Sequence, residues 1–134
     1  MHLSLTLYFL RHGETIYSKT GGYCGDLDPE LISEGAQMAR AFADAHRSTA
    51  WTSVYASPMK RTVATAKPLC DALGLEMQLR DGLKEIRYGK WEDKSVDFVK
   101  EHYWEDISVG SLNRLGMRRL EVKPLLRFPA AHRW

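Results

Sequence analysis

The first apolar run alternates: Leu3, Leu5, Leu7 and Phe9 are separated by Ser4, Thr6 and Tyr8. A period of two places one set of side chains on one face of an extended chain, so the run predicts a strand ending at Arg11-His12-Gly13. Turn formers crowd residues 21–29. Ser33 then stands where an N-cap would open a helix that buries Met38, Ala41, Phe42 and Ala45 and stops near Arg47. A β-rich stretch from Trp51 to Ala56 is broken by Ser57-Pro58. The helix beyond it would bury Val63, Ala66, Cys70 and Leu73 and close at Gly74, with a kink or weak turn at Pro68. Glu76 to Arg80 predicts another strand, Asp81-Gly82 a turn, and Val96 to Glu105 a further amphipathic helix. Strands alternating with helices define an α/β class with a mainly parallel sheet flanked by helices. In such sheets ligands gather beyond the carboxyl ends of the strands, where loops and helix N-termini converge. Arg11 and His12, the Ser57-Pro58 break and the loop carrying Glu85 all fall at such an edge.

Composition narrows the class. The chain has 134 residues, 44% hydrophobic against 27% charged, which suits one globular domain without repeats or low-complexity segments. The stretch from Leu3 to Leu10 is too short to span a bilayer and lacks the charged start and cleavage site of a secretory signal, so a cytoplasmic protein with no membrane partner is expected. Cys24 and Cys70 lie far apart in no metal-ligand spacing, which points to reduced thiols and to no metal.

Charge divides the chain. Residues 1–108 hold 13 basic and 16 acidic residues, whereas residues 109–134 hold six and one. An Arg-rich end invites reading as a nucleic-acid arm, but such arms carry Lys, Ser and Gly in low-complexity blocks. No nucleic-acid partner is expected.

Arg11-His12-Gly13-Glu14-Thr15, directly after a predicted strand, is the most informative stretch. A neutral imidazole is a nucleophile near pH 7, and an adjacent guanidinium can hold two phosphate oxygens while the ring nitrogen attacks in line. Gly13 lets backbone approach a phosphate closely. Charge spreads over the equatorial oxygens in the transition state, so a second cation is required, and Arg61 stands at a helix start to supply it. The leaving group needs a proton, for which Glu85 is the candidate. These residues describe a site for a small phosphorylated substrate or inorganic phosphate.

Four segments together resemble the histidine phosphatase superfamily, the phosphoglycerate-mutase-like fold. They are Arg-His-Gly-Glu-Thr, the stretch from Gly25 to Gly35, Ser57-Pro58-Met59-Lys60-Arg61-Thr62 followed by Thr65-Ala66, and Leu83 to Glu92 with its Gly89-Lys90-Trp91-Glu92 ending. The resemblance spans about residues 3–105. It implies a three-layer sandwich, a phosphohistidine at His12, phosphate clamping by Arg11 and Arg61, a proton donor at Glu85, substrate-binding positions at Gly13, Ser18 and Gly25, and no cofactor. The Gly-Lys-Trp-Glu segment is similar to the phosphatase branch, with phosphoglycerate-mutase-type phosphotransfer and a non-catalytic phosphate-binding module as the alternatives.

Two departures matter. Ser18 stands where the family often has Asn, and the family's second catalytic histidine, in a Ser-His-Gly-like segment, has no counterpart. His132 has no glycine after it, and His46 and His102 fall on predicted helices. Reading the codons one step out of frame permits Thr-Gly-Gly-Glu-Thr across Arg119 to Pro124, a sequence the family carries near this distance from Trp-Glu. The expectation is therefore a fold lacking its C-terminal part, with an out-of-frame tail over 109–134, impaired turnover, and marginal stability or self-association through an exposed sheet edge.

Overall fold

The computed structural model describes residues 4–103. The order of elements is α1 (Ile16–Thr20), α2 (Ser33–His46), β1 (Val54–Ala56), α3 (Lys60–Leu73), β2 (Met77–Leu79) and α4 (Val96–His102), with short 3-10 turns at Asp81–Leu83 and Gly89–Trp91. Among the described residues the sheet consists of β1 and β2, which run parallel with Val54 opposite Met77 and Ala56 opposite Leu79. Parallel neighbours need a crossover, and α3 supplies it, so the α/β class is that of the sequence pattern. α2 packs along α3, and α3 lies against both strands.

The helix boundaries follow local chemistry. α2 begins at Ser33, but its N-cap is Ile32, which makes no side-chain capping bond, so Ser33 is the first helical residue. α3 ends at Gly74, whose left-handed backbone (φ 65°) lets its N–H reach the Cys70 carbonyl. The helix runs through Pro68 without breaking. The hydrogen bond that proline removes would have ended on Ala64, an exposed residue. α1 is too short to show a period in sequence; it is held by a capping box between Thr15 and Ser18.

α2 buries a different face from the expected one, and α3 keeps only Cys70 of its expected set buried. α2 buries Gly35, Ala39 and Ala43, while Met38 and Phe42 are half-buried flanks and Ala41 and Ala45 are exposed. α3 buries Arg61, Thr65, Leu69 and Cys70, with Val63, Ala66 and Leu73 half-buried. Small residues four apart let the helix axes approach closely, and the larger apolar residues pack to either side. The rest of the core is Ala56, Met59 and Val99.

The predicted first strand is not formed. Residues 4–15 carry no strand, and Leu5, Leu7 and Phe9 are 81%, 60% and 80% exposed. An alternating run becomes a strand only when a neighbouring backbone pairs with it, and among the described residues β1 is paired with β2 alone. Tyr8 is held in part by its ring, edge-on to Trp51 with centroids 4.8 Å apart. Leu3, the helix end at Glu105, the basic tail 109–134 and His132 lie outside the described residues.

Candidate functional site

The Arg11-His12-Gly13 segment crosses the start of α2 and is tied to α3. The Gly13 N–H donates to the Thr65 hydroxyl (2.8 Å), which itself donates to the Arg61 carbonyl (2.6 Å). A side chain at Gly13 would meet the Gly35 backbone, and one at Gly35 would meet the Glu14 backbone. The close approach that Gly13 serves here is therefore to α2, and its N–H is already engaged.

His12 is half-buried, and its Nδ1 lies 2.8 Å from the Gly13 carbonyl oxygen. A carbonyl can only accept, so Nδ1 carries the proton in this bond and Nε2 keeps its lone pair. Burial pushes the imidazole pKa below its ordinary 6.5; the charges of Arg61 and Arg11 act the same way, against the Gly13 bond and Glu85.

Arg11, His12 and Glu85 line one cavity of about 150 Å³, together with Ser18, Tyr23, Cys24 and Tyr88. Arg61 is 2% exposed and is not part of that lining; it meets the wall through Glu85, with Nη2 3.8 Å from Oε2. Its Nη1 donates to the Leu27 carbonyl (2.8 Å) and Nη2 to the Gly25 carbonyl (3.3 Å). The buried Nε has no partner among the described residues. A buried guanidinium with incomplete hydrogen bonding is costly unless an anion compensates it.

Glu85 accepts from the Tyr88 hydroxyl (3.2 Å) through Oε1. Burial, and then the Glu85 charge and that bond, push the Tyr88 phenol upward, so it stays a donor at neutral pH. Ser18 reaches the cavity, but its hydroxyl accepts from the Thr15 N–H (2.8 Å) and donates to the Thr15 carbonyl (3.1 Å). Gly25 contributes its carbonyl to Arg61 and not a group to the cavity lining.

The fold thus brings Arg11, His12, Arg61 and Glu85 together. It also gives hydrogen-bonding roles that the sequence did not assign to two residues of the motif segments: Thr65, which anchors Gly13, and Tyr88, a residue of the pocket wall that holds Glu85. The signal for Thr65 was its place four residues after Arg61, on the same helix face. A larger cavity of about 250 Å³, lined by Ile16, Thr20 and Asp93 among others, shares Tyr17 and Gly22 with the first. Among the described residues no group of His, Cys, Asp or Glu is arranged to hold a metal ion, and no helix is long and apolar enough to cross a membrane.

Known proteins share this arrangement of sequence and fold. Phosphoserine phosphatase 1 of Hydrogenobacter thermophilus is 36% identical over 100 residues, covering 75% of this chain and 47% of its own. A probable phosphoglycerate mutase GpmB of an Enterobacter species is 36% identical over 97 residues, covering 72% and 45%. The crystal structure of phosphoserine phosphatase from Entamoeba histolytica in complex with 3-phosphoglyceric acid superposes with a TM-score of 0.64 at 30% identity, over 72% of this chain and 49% of that one. The chain spans about half the length of these relatives. The sequence profile of the histidine phosphatase superfamily (branch 1) matches residues 7–119, and the chain belongs to that superfamily.

Proposed function

We propose that the chain is a phosphomonoester hydrolase acting through a phosphohistidine at His12, with a small phosphorylated substrate. The observation that carries this reading is the shared cavity of Arg11, His12 and Glu85, in which the Gly13 carbonyl holds the Nδ1 proton. Nε2 attacks phosphorus, the bond from phosphorus to the ester oxygen breaks, and Glu85 protonates the departing alkoxide. Water then attacks the phosphohistidine, the nitrogen–phosphorus bond breaks, and Glu85 recovers a proton from the water. Arg11 and Arg61 supply the positive charge that the equatorial oxygens need.

Among the described residues His12 is the only histidine that lines the cavity, and a site working without a second donor at the phosphoryl group would turn over slowly, since loss of one charge-stabilising donor typically costs a factor of roughly 10²–10³. The likeness to a phosphoglycerate mutase supports phosphotransfer as the second reading. The exposed Leu5, Leu7 and Phe9 support self-association of the chain.

Hydrolysis of a generic aryl phosphate by the wild-type chain and by His12→Ala tests the proposal. Activity lost in the variant, with acid-labile phosphate on the wild-type protein, is the expected result. Equal rates remove the catalytic claim, and an inactive chain that phosphate protects against heat is a binding module. Phosphate moved between hydroxyls of a phosphoglycerate without release would identify the mutase reaction.

A further inference from the structure

Glu92 stands outside the cavity lining, yet its carboxylate joins two segments that hold residues of the site. Its Oε1 accepts from the Asp26 N–H (3.0 Å) and from the Tyr88 N–H (3.1 Å). On the first side, Asp26 lies between Gly25 and Leu27, whose carbonyls receive Nη2 and Nη1 of the buried Arg61. On the second, the Tyr88 hydroxyl holds Glu85. Gly25 takes a left-handed conformation (φ 51°), and a side chain there would collide with the Glu92 carboxylate and the Tyr88 ring. The glycine leaves room for the carboxylate, and the carboxylate fixes the loop that the glycine turns. The Asp26 amide, followed by those of Tyr88 and Gly89 and by the Arg87 charge, holds the Glu92 carboxyl below the usual carboxylate range against the effect of burial.

We propose that Glu92 is a positioning residue for phosphate recognition: one carboxylate oxygen sets the spacing between the carbonyls that aim Arg61 and the Tyr88–Glu85 arm. The proposal rests on reading the His12 cavity as a phosphoryl site. Trp91 completes the joint, since its ring lies 5.5 Å from that of Tyr23, which in turn lies 5.0 Å from Tyr88.

The test measures the affinity of the full chain for inorganic phosphate by titration calorimetry. Glu92→Ala is expected to weaken binding about tenfold, the loss that follows from removing a charged hydrogen-bond acceptor. Glu92→Gln keeps a carbonyl oxygen for the two amides and is expected to restore most of the affinity. Gly25→Ala displaces the carboxylate from the other side and is expected to repeat the Glu92→Ala loss. If Glu92 acts through Arg61, the Glu92→Ala loss shrinks in an Arg61→Lys background; a staple that only stabilises the fold would give losses that add. Wild-type affinity in Glu92→Ala, or additive losses in the pair, overturns the positioning role. Absence of phosphate binding by the wild-type chain overturns the site reading itself. If Glu92→Ala does not fold, Glu92→Gln and Gly25→Ala decide: wild-type affinity in Gly25→Ala overturns the proposal.

Discussion

His12 sits where three influences converge: partial burial, a carbonyl that accepts a hydrogen bond from its Nδ1–H, and two guanidinium groups. Burial is the largest and disfavours the charged ring, so the folded pKa lies below 6.5. The unfolded chain therefore binds the proton more readily. The contribution of neutral His12 to stability is whole above about pH 6.5, declines as the pH falls below that value, and is lost once the pH has passed the lower folded value. Replacing His12 with Gln is expected to flatten the stability profile below pH 6.5, read as urea midpoints across a pH series. The identity of His12 as a candidate was legible from its neighbours in sequence, because a nucleophile beside a cation and a glycine is a local pattern. Its tautomer was not, because that depends on where the Gly13 carbonyl points. Gly13 itself illustrates the difference: its lack of a side chain was expected to serve a phosphate, and in the fold it admits the Gly35 backbone.

The two long helices carry the site through a pair of small contacts. Thr65 accepts the Gly13 N–H from its place on the buried face of α3, four residues after Arg61, so one helix holds both the cation and the anchor of the His12 segment. Thr65→Val keeps the shape and removes the acceptor. It is expected to cost about 1–3 kcal/mol in denaturant unfolding by leaving a buried N–H unpaired, and to loosen His12 with it. Gly35→Ala puts a methyl group into the Glu14 backbone and is expected to cost at least about 1–3 kcal/mol. The existence of α2 and α3 was readable because each repeats apolar residues at helical spacing and α3 ends at a glycine. Their buried faces were readable only at Cys70, since hydrophobicity marks the bulky Met38, Phe42 and Val63, whereas close packing selects Gly35, Ala39 and Ala43.

Leu5, Leu7 and Phe9 alternate as a strand would, with no strand paired to them among the described residues, and Tyr55, Leu79 and Leu83 are also about half exposed. Exposed apolar side chains on a segment whose backbone is unpaired among the described residues favour association between copies. Sedimentation of the chain is expected to depend on concentration, and Leu7→Lys is expected to shift it toward the monomer by placing a charge within the alternating run. An unchanged, concentration-independent monomer in both proteins would contradict this. The pairing of the first segment could not be read from the chain, because a period of two states which face is apolar and not which backbone lies alongside.

Local order along the chain was enough to determine the α/β class, the β-α-β crossover and the helix stop at Gly74, and to single out Arg11, His12, Arg61 and Glu85, which the fold brings near one another. Each of these follows from short-range rules: periodicity, turn residues, and the charges a phosphoryl group demands. Tertiary structure alone decided that Thr65 anchors Gly13, that Glu92 joins the Gly25 loop to Tyr88, and that Arg61 is aimed by two carbonyls. Apart from the local bond between Tyr88 and Glu92, those contacts link residues more than thirty positions apart, and whether a donor meets an acceptor across such a distance depends on how the elements pack rather than on either residue's neighbours.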